Sequence, residues 1–63
     1  MDPLMTPTEL AEFLGVSTRQ LQRWRLADQG PAYVQIGRSV RYQRLVVLDW
    51  VKRSTVKTRP VHL

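Results

Sequence analysis

The first apolar residues of the chain recur with the spacing of a helix. Leu10, Ala11 and Leu14 fall at positions i, i+1 and i+4, so they form one stripe on a helix that turns about 100° per residue. Phe13, three residues after Leu10, is predicted to join them in the core. The polar residues between them face solvent. The pattern predicts a short amphipathic helix that buries one side.

Local signals mark where two helices begin. Thr6 and Glu9 have the spacing of a capping box, in which the Thr6 hydroxyl accepts from the Glu9 N–H and the Glu9 carboxylate accepts from the Thr6 N–H. Pro7 then falls at the first helical position, where its missing N–H costs nothing. Ser17 and Gln20 repeat the spacing, which predicts a second helix starting there.

The two predicted helices are joined by a tight turn. Gly15 stands where the first helix would end in a left-handed residue, a conformation that glycine adopts cheaply. In the second helix Leu21 and Trp24 share an inward face, and the turn sequence at 28–31 predicts where that helix ends. Two capped helices with glycine between them indicate a helix-turn-helix.

The outward side of the second helix carries long polar side chains and no acid. Arg19, Gln22 and Arg23 project there, with Gln20 on the flank. Such groups pair with base edges and phosphates, so the pattern predicts a nucleic-acid reader; the alternative is an ordinary solvated face. Leu26 lies on the same side, and it is predicted to pack against the following segment rather than to contact a thymine methyl group.

A β-hairpin is predicted after the helix pair. Residues 32–36 are rich in strand formers, residues 37–39 supply a turn, and residues 40–42 form a returning strand. A hairpin in this place is a wing, which can reach a minor groove or lie along phosphates. The alternative is a basic edge that only confers solubility. The side chains predicted at or just behind its tip are Arg38, Ser39 and Arg41.

A third helix is predicted over residues 43–53. Val47, Trp50 and Val51 form an i, i+3, i+4 stripe that should close the core against the helix pair. Further apolar side chains are predicted to pack under the wing, although contact with a neighbouring copy or another protein is an alternative. These are Leu45, Val46 and Leu48. The sequence thus predicts one domain over residues 1–53 and a flexible basic tail over residues 54–63.

Charge is distributed unevenly along the 63 residues. Residues 1–17 hold three acids and no Lys or Arg, a net charge of −3, whereas residues 18–63 hold all ten Lys and Arg with two acids, a net charge of +8. A surface that binds phosphates is therefore expected to begin with the second helix. Membrane-surface binding would need one cationic helix with a large apolar face, and here the arginines lie on several elements.

The composition argues against catalysis, cofactors and membranes. The chain has no cysteine and a single His, at position 62, so neither a disulfide nor a metal site is expected. No paired acid and base, Ser–His pair or phosphate-binding glycine loop is evident, so the chain is not expected to be an enzyme. No apolar run approaches the roughly 20 residues of a membrane span. A cytoplasmic location without a membrane partner is expected.

Residues 5–53 resemble a known group. Thr6-Pro7-Thr8-Glu9-Leu10-Ala11, Leu14-Gly15-Val16-Ser17, Leu21-Gln22-Arg23-Trp24, Ile36-Gly37-Arg38, Val40-Arg41-Tyr42 and Trp50-Val51 are similar to the MerR-type winged helix-turn-helix of small phage and mobile-element excisionases. The resemblance implies a mainly α fold with a small β-hairpin wing, a second helix in the major groove of double-stranded DNA and a wing at the adjacent minor groove. It assigns groove reading to Thr18, Arg19, Gln20, Gln22 and Arg23, and wing contact to Arg38, Ser39 and Arg41.

The resemblance also implies a function. MerR-type regulators continue into a long dimerisation helix and an effector-binding region, and a chain that ends soon after its third helix is expected instead to be an excisionase, or recombination directionality factor. Such proteins bind repeated attachment sites beside copies of themselves, bend the DNA and direct a tyrosine integrase toward excision. The alternative is a small MerR-like or AlpA-like transcriptional regulator of the same fold.

Overall fold

The computed structural model describes residues 4–56. In chain order its elements are α1 (Pro7–Leu14), α2 (Thr18–Leu26), β1 (Val34–Ile36), β2 (Ser39–Arg41) and α3 (Arg44–Arg53). The two strands form an antiparallel hairpin. Three helices with a hairpin between the second and the third constitute a small winged helix-turn-helix, as predicted.

The start of α1 has the predicted capping box. The Glu9 N–H donates to the Thr6 hydroxyl at 3.1 Å, and the Thr6 N–H donates to the Glu9 carboxylate at 2.8 Å. Pro7 is the first helical residue. The helix ends at Gly15, whose φ of +73° lies in the left-handed region that was predicted for it. The direction of the chain between α1 and α2 therefore follows from local sequence signals.

The second helix has only one of the two hydrogen bonds of a capping box. The Gln20 N–H donates to the Ser17 hydroxyl at 3.0 Å, but the reciprocal side-chain bond that completes a capping box is present only at α1. The helix ends at Leu26, slightly before the predicted turn. The chain then reverses through Asp28, at φ +58°, and the Gln29 N–H donates to the Trp24 carbonyl at 2.7 Å.

The hairpin is shorter than predicted and its register moves the turn. Val34 pairs with Arg41, and Ile36 pairs with Ser39, so the turn consists of Gly37 and Arg38 alone. Ser39, predicted in the turn, is the first residue of β2. A two-residue connection suits the twist of an antiparallel pair better than a three-residue one without a bulge.

Tyr42, predicted as a strand residue, pairs instead with the segment before α1. The Met5 N–H donates to the Tyr42 carbonyl at 2.8 Å, and the Tyr42 N–H donates to the Met5 carbonyl at 2.9 Å. This pairing attaches the N-terminal segment to the base of the hairpin. Met5 also packs against the core cluster, which includes Leu10; an apolar residue just before the N-cap often makes such a contact with the first turn of its helix.

The core draws one or two side chains from each helix and one from the hairpin base. Its buried members are Leu10, Ala11, Leu21, Tyr42 and Val47. Partly buried residues surround them: Met5, Leu14, Val16, Trp24, Val40 and Val51. The predicted inward faces of α1, α2 and α3 are thus confirmed at their central positions.

Several predicted core positions are wrong. Phe13 is 51% exposed, since it lies roughly 100° from the centre of the Leu10, Ala11 and Leu14 stripe. Leu26 is 82% exposed, because α2 ends there and no later segment covers it within the described residues. Of the residues predicted to pack under the wing, Leu45 and Leu48 are exposed and only Val46 is half-buried.

The third helix begins without a side-chain cap. Gln43 occupies the N-cap position and makes no capping hydrogen bond. At the other end, α3 stops at Arg53, and the Ser54 hydroxyl donates to the Trp50 carbonyl at 2.8 Å. The prediction of a flexible tail concerns residues 54–63, most of which (57–63) lie outside the described residues.

Candidate nucleic-acid interface

The second helix presents most of its predicted reading residues to solvent. Thr18, Arg19, Gln22 and Arg23 are exposed, and Gln20 is half-buried on the flank of the helix. Leu21 is fully buried on the opposite side. Burial therefore fixes which way the helix faces, and the outward side contains arginines and amides without a carboxylate.

The hairpin holds the three residues predicted to form the wing contact. Arg38 is exposed at the two-residue tip, and Ser39 is exposed at the start of β2. Arg41 is half-buried, and its guanidinium donates to the Val40 carbonyl at 2.8 Å. Arg38 thus points to solvent-exposed surface at the tip, whereas one donor of Arg41 is engaged within the hairpin.

Two tryptophans hold α2 against α3. The ring centroids of Trp24 and Trp50 are 5.5 Å apart with a tilted interplanar angle of 51°. Aromatic pairs favour such tilted arrangements, since a positive ring edge then approaches a negative face. Both residues were predicted as core anchors, and both are half-buried. Their contact keeps the second helix in place on the body of the domain.

Gly30 lets the loop after α2 run close to Trp24. A Cβ atom at this position would lie 2.8 Å from Trp24 Cε3 and 3.0 Å from Trp24 Cβ. The residue also has a φ of +78°, in the left-handed region. The approach brings the chain from the end of α2 toward the first strand of the hairpin.

An arginine that sequence reasoning left unassigned connects α2 to the hairpin base. Arg25 donates from Nη1 to the Tyr42 hydroxyl at 2.8 Å, and its guanidinium carbon lies 5.8 Å from the centre of the Tyr33 ring. The two tyrosine rings are themselves 6.2 Å apart. The sequence pattern placed both tyrosines within the predicted strands, and nothing in that pattern identified Arg25 as their partner.

The loop after α2 and the third helix border an open cleft of about 420 Å³, whose walls include Arg25, Tyr33, Trp50 and Arg53. Within the part of the chain that the structure describes, no group of three His, Cys, Asp or Glu side chains could hold a metal ion. Over those same residues, no helix has the length and apolarity needed to cross a membrane.

The sequence was compared with models of known protein families, and the match agrees with the fold described above. A model of the helix-turn-helix domain family matches residues 4–55. The chain therefore belongs to the helix-turn-helix domain family, which includes excisionase-like small DNA-binding proteins. Membership implies DNA as the partner. No curated protein and no solved structure gives a significant match.

Proposed function

We propose that this protein binds specific sites on duplex DNA, with α2 in the major groove and the hairpin at the adjacent minor groove. Direct reading is assigned to Thr18, Arg19, Gln20, Gln22 and Arg23, and wing contact to Arg38, Ser39 and Arg41. The observation that carries the proposal is the outward face of α2, where arginines and amides are exposed and the buried side is apolar.

The chemistry of this face favours base reading as well as phosphate contact. Arginine can donate two hydrogen bonds to a guanine, and glutamine can pair in the same bidentate manner with an adenine. Leu26 extends the same side of α2 and is 82% exposed, so it is available to touch a thymine methyl group. The exposed Arg38 adds a cation that would lie along the minor groove or on phosphates.

Within DNA-binding proteins, we propose the role of a DNA-bending excisionase that acts in the cytoplasm and directs a tyrosine integrase toward excision of a prophage or mobile element. The support is the family match together with the small size of each binding unit. One unit of this size buries little surface on DNA, and several copies on repeated sites can share the cost of bending. Exposed Leu45 and Leu48 on α3 offer an apolar surface to a neighbouring copy or to integrase.

The binding surface is tested by substitutions that each remove one positive charge. Arg23→Ala should weaken binding to the specific site by about 1–3 kcal/mol and relax discrimination at one base pair, if Arg23 reads a base. Arg38→Ala should weaken binding to all sequences alike and reduce the slope of log K against log salt by about one. Affinities are measured by fluorescence anisotropy on specific and scrambled duplexes over a range of salt concentrations.

Lys52→Ala is the control, since it removes the same charge from an exposed position of α3 outside the proposed surface. It should change affinity much less than either arginine substitution. If all three variants lose the same affinity, only net charge matters and the assigned surface is wrong.

The proposed role as an excisionase is tested by an excision reaction. The protein is added to purified integrase and attachment-site DNA, and excision and integration products are counted, with a footprint and a gel-based bend assay on the same DNA. An excisionase should stimulate excision, suppress integration and increase the bend. Binding that alters transcription from a nearby promoter without affecting either recombination reaction would instead indicate a small transcriptional regulator.

A further inference from the structure

We propose that Arg25 is a positioning residue that locks the wing to the reading helix, and that it does not contact DNA itself. The proposal rests on the proposed function, because its effect is expressed in how α2 and the hairpin engage one duplex together. Three arginines lie on α2. Arg19 and Arg23 are exposed, whereas Arg25 is half-buried and directed toward the protein.

Arg25 meets both ends of the hairpin at once. Tyr33 directly precedes β1 and Tyr42 directly follows β2. One guanidinium donates to the Tyr42 hydroxyl at 2.8 Å and stands 5.8 Å from the centre of the Tyr33 ring. A single side chain in the last turn of α2 therefore fixes the two points from which the wing extends.

The Tyr42 end of this link is anchored through both its side chain and its backbone. The residue is 1% exposed, and its backbone exchanges two hydrogen bonds with Met5, at 2.8 and 2.9 Å. A buried tyrosine hydroxyl needs a partner, and a charged donor gives a stronger bond than a neutral one. The planar guanidinium can donate to the hydroxyl while it faces an aromatic ring, which an ammonium group does less well.

This link matters for binding because a hairpin of two three-residue strands has little support of its own. If the wing is held at a fixed angle to α2, it is already placed when α2 enters the groove, and no ordering cost is paid on binding. If the link is broken, the wing must be ordered in the complex. The resulting loss of affinity should then come from the contacts made by the wing, and the contacts made by α2 should be unchanged.

The test uses two variants that each remove one hydroxyl group and no charge. Tyr42→Phe deletes the acceptor of the Arg25 hydrogen bond and keeps the buried ring, so the domain should remain folded. It should lower affinity for the specific duplex about fivefold or more, the low end of typical coupling between sites. Tyr33→Phe is the matched control, because Tyr33 offers its ring face to Arg25, and it should bind like the wild type.

A double-mutant cycle separates positioning from general stability. In the Tyr42→Phe background, Arg38→Ala should have at most about half of its wild-type effect on log K, because the wing is already disengaged. Arg23→Ala should keep its full effect. If Tyr42→Phe binds like the wild type while Arg25→Ala binds weakly, Arg25 contacts DNA directly and the proposal is overturned. Equal effects of Arg38→Ala in both backgrounds would overturn it as well.

A measurement on the free protein keeps this inference distinct from the proposed function. Residual dipolar couplings report the orientation of the hairpin amides relative to those of α2. Tyr42→Phe should reorient or loosen the hairpin, while Tyr33→Phe should not. An unchanged hairpin in Tyr42→Phe would refute the lock whether or not the protein binds DNA. A loosened hairpin in a protein that binds no duplex would refute the proposed function alone.

Discussion

Replacing Gly30 by alanine tests how the loop after α2 is held against Trp24. The new Cβ would lie 2.8 Å from Trp24 Cε3, 3.0 Å from Trp24 Cβ and 3.1 Å from Trp24 Cδ2, all closer than ordinary van der Waals contact. The residue also has a φ of +78°, where an L side chain costs about 1–2 kcal/mol. Overpacking of a filled site typically costs a further 1–3 kcal/mol. The expected loss in the free energy of unfolding is therefore roughly 2–5 kcal/mol.

Gly15→Ala is the matched control. Its φ of +73° is nearly the same, but a Cβ there would meet nothing within 4 Å. Only the backbone strain applies, about 1–2 kcal/mol. Alanine also makes the unfolded chain less flexible, and the resulting increase in the free energy of unfolding should be about the same in both variants. The difference between the two substitutions therefore isolates the contact with Trp24.

The assay is thermal and urea unfolding followed by circular dichroism. In a domain of this size a loss of 1 kcal/mol lowers Tm by about 4–8 °C, so Gly30→Ala should be the less stable variant by a clear margin. If it is unfolded at room temperature, sucrose is added equally to all samples, because it favours the folded state. Equal losses for the two alanine variants would refute the argument from close packing, and so would an undiminished penalty for Gly30→Ala in a Trp24→Leu background.

Two further stability predictions concern the surface. Thr6→Ala and Ser17→Ala should each cost about 1 kcal/mol, because each removes the one hydroxyl that accepts a capping hydrogen bond. The bond from the Thr6 N–H to the Glu9 carboxylate is donated by the backbone and remains possible in the alanine variant. Urea unfolding of both variants checks this, and an unchanged free energy of unfolding in either variant would contradict it. Arg53→Ala should change the free energy of unfolding by less than about 0.5 kcal/mol, since its ion pair with Asp49 is a mostly exposed i, i+4 pair; a loss above 1 kcal/mol would show that the pair has another role.

The local features of the fold could be predicted from the sequence because they depend on residues near one another in the chain. The capping box at Thr6, the left-handed Gly15 and the inward positions of Leu10 and Leu21 were all predicted and are all present. Each follows from a hydrogen bond or a periodicity that spans a few residues. The exposed arginines of α2 could be predicted in the same way, because the apolar side of the helix is buried and the residues on the opposite side must then face solvent.

The apolar surface could not be predicted in this way. Phe13, Leu26, Leu45 and Leu48 are exposed, although their residue types suit a core. A domain this small has a high ratio of surface to volume, so its interior accommodates few large side chains. Which of them are buried depends on the positions of the other elements, and periodicity along one helix does not contain that information.

The sequence by itself determined three helices, the side-chain caps that begin the first two, and the sign of the charge on the second helix. Only the tertiary structure decided that Tyr42 pairs with Met5, that Trp24 contacts Trp50, and that Arg25 joins α2 to the hairpin base. These contacts connect residues far apart in the chain. Their geometry exists only after the helices and the hairpin have packed around a common core, because packing fixes the distances between side chains on separate elements.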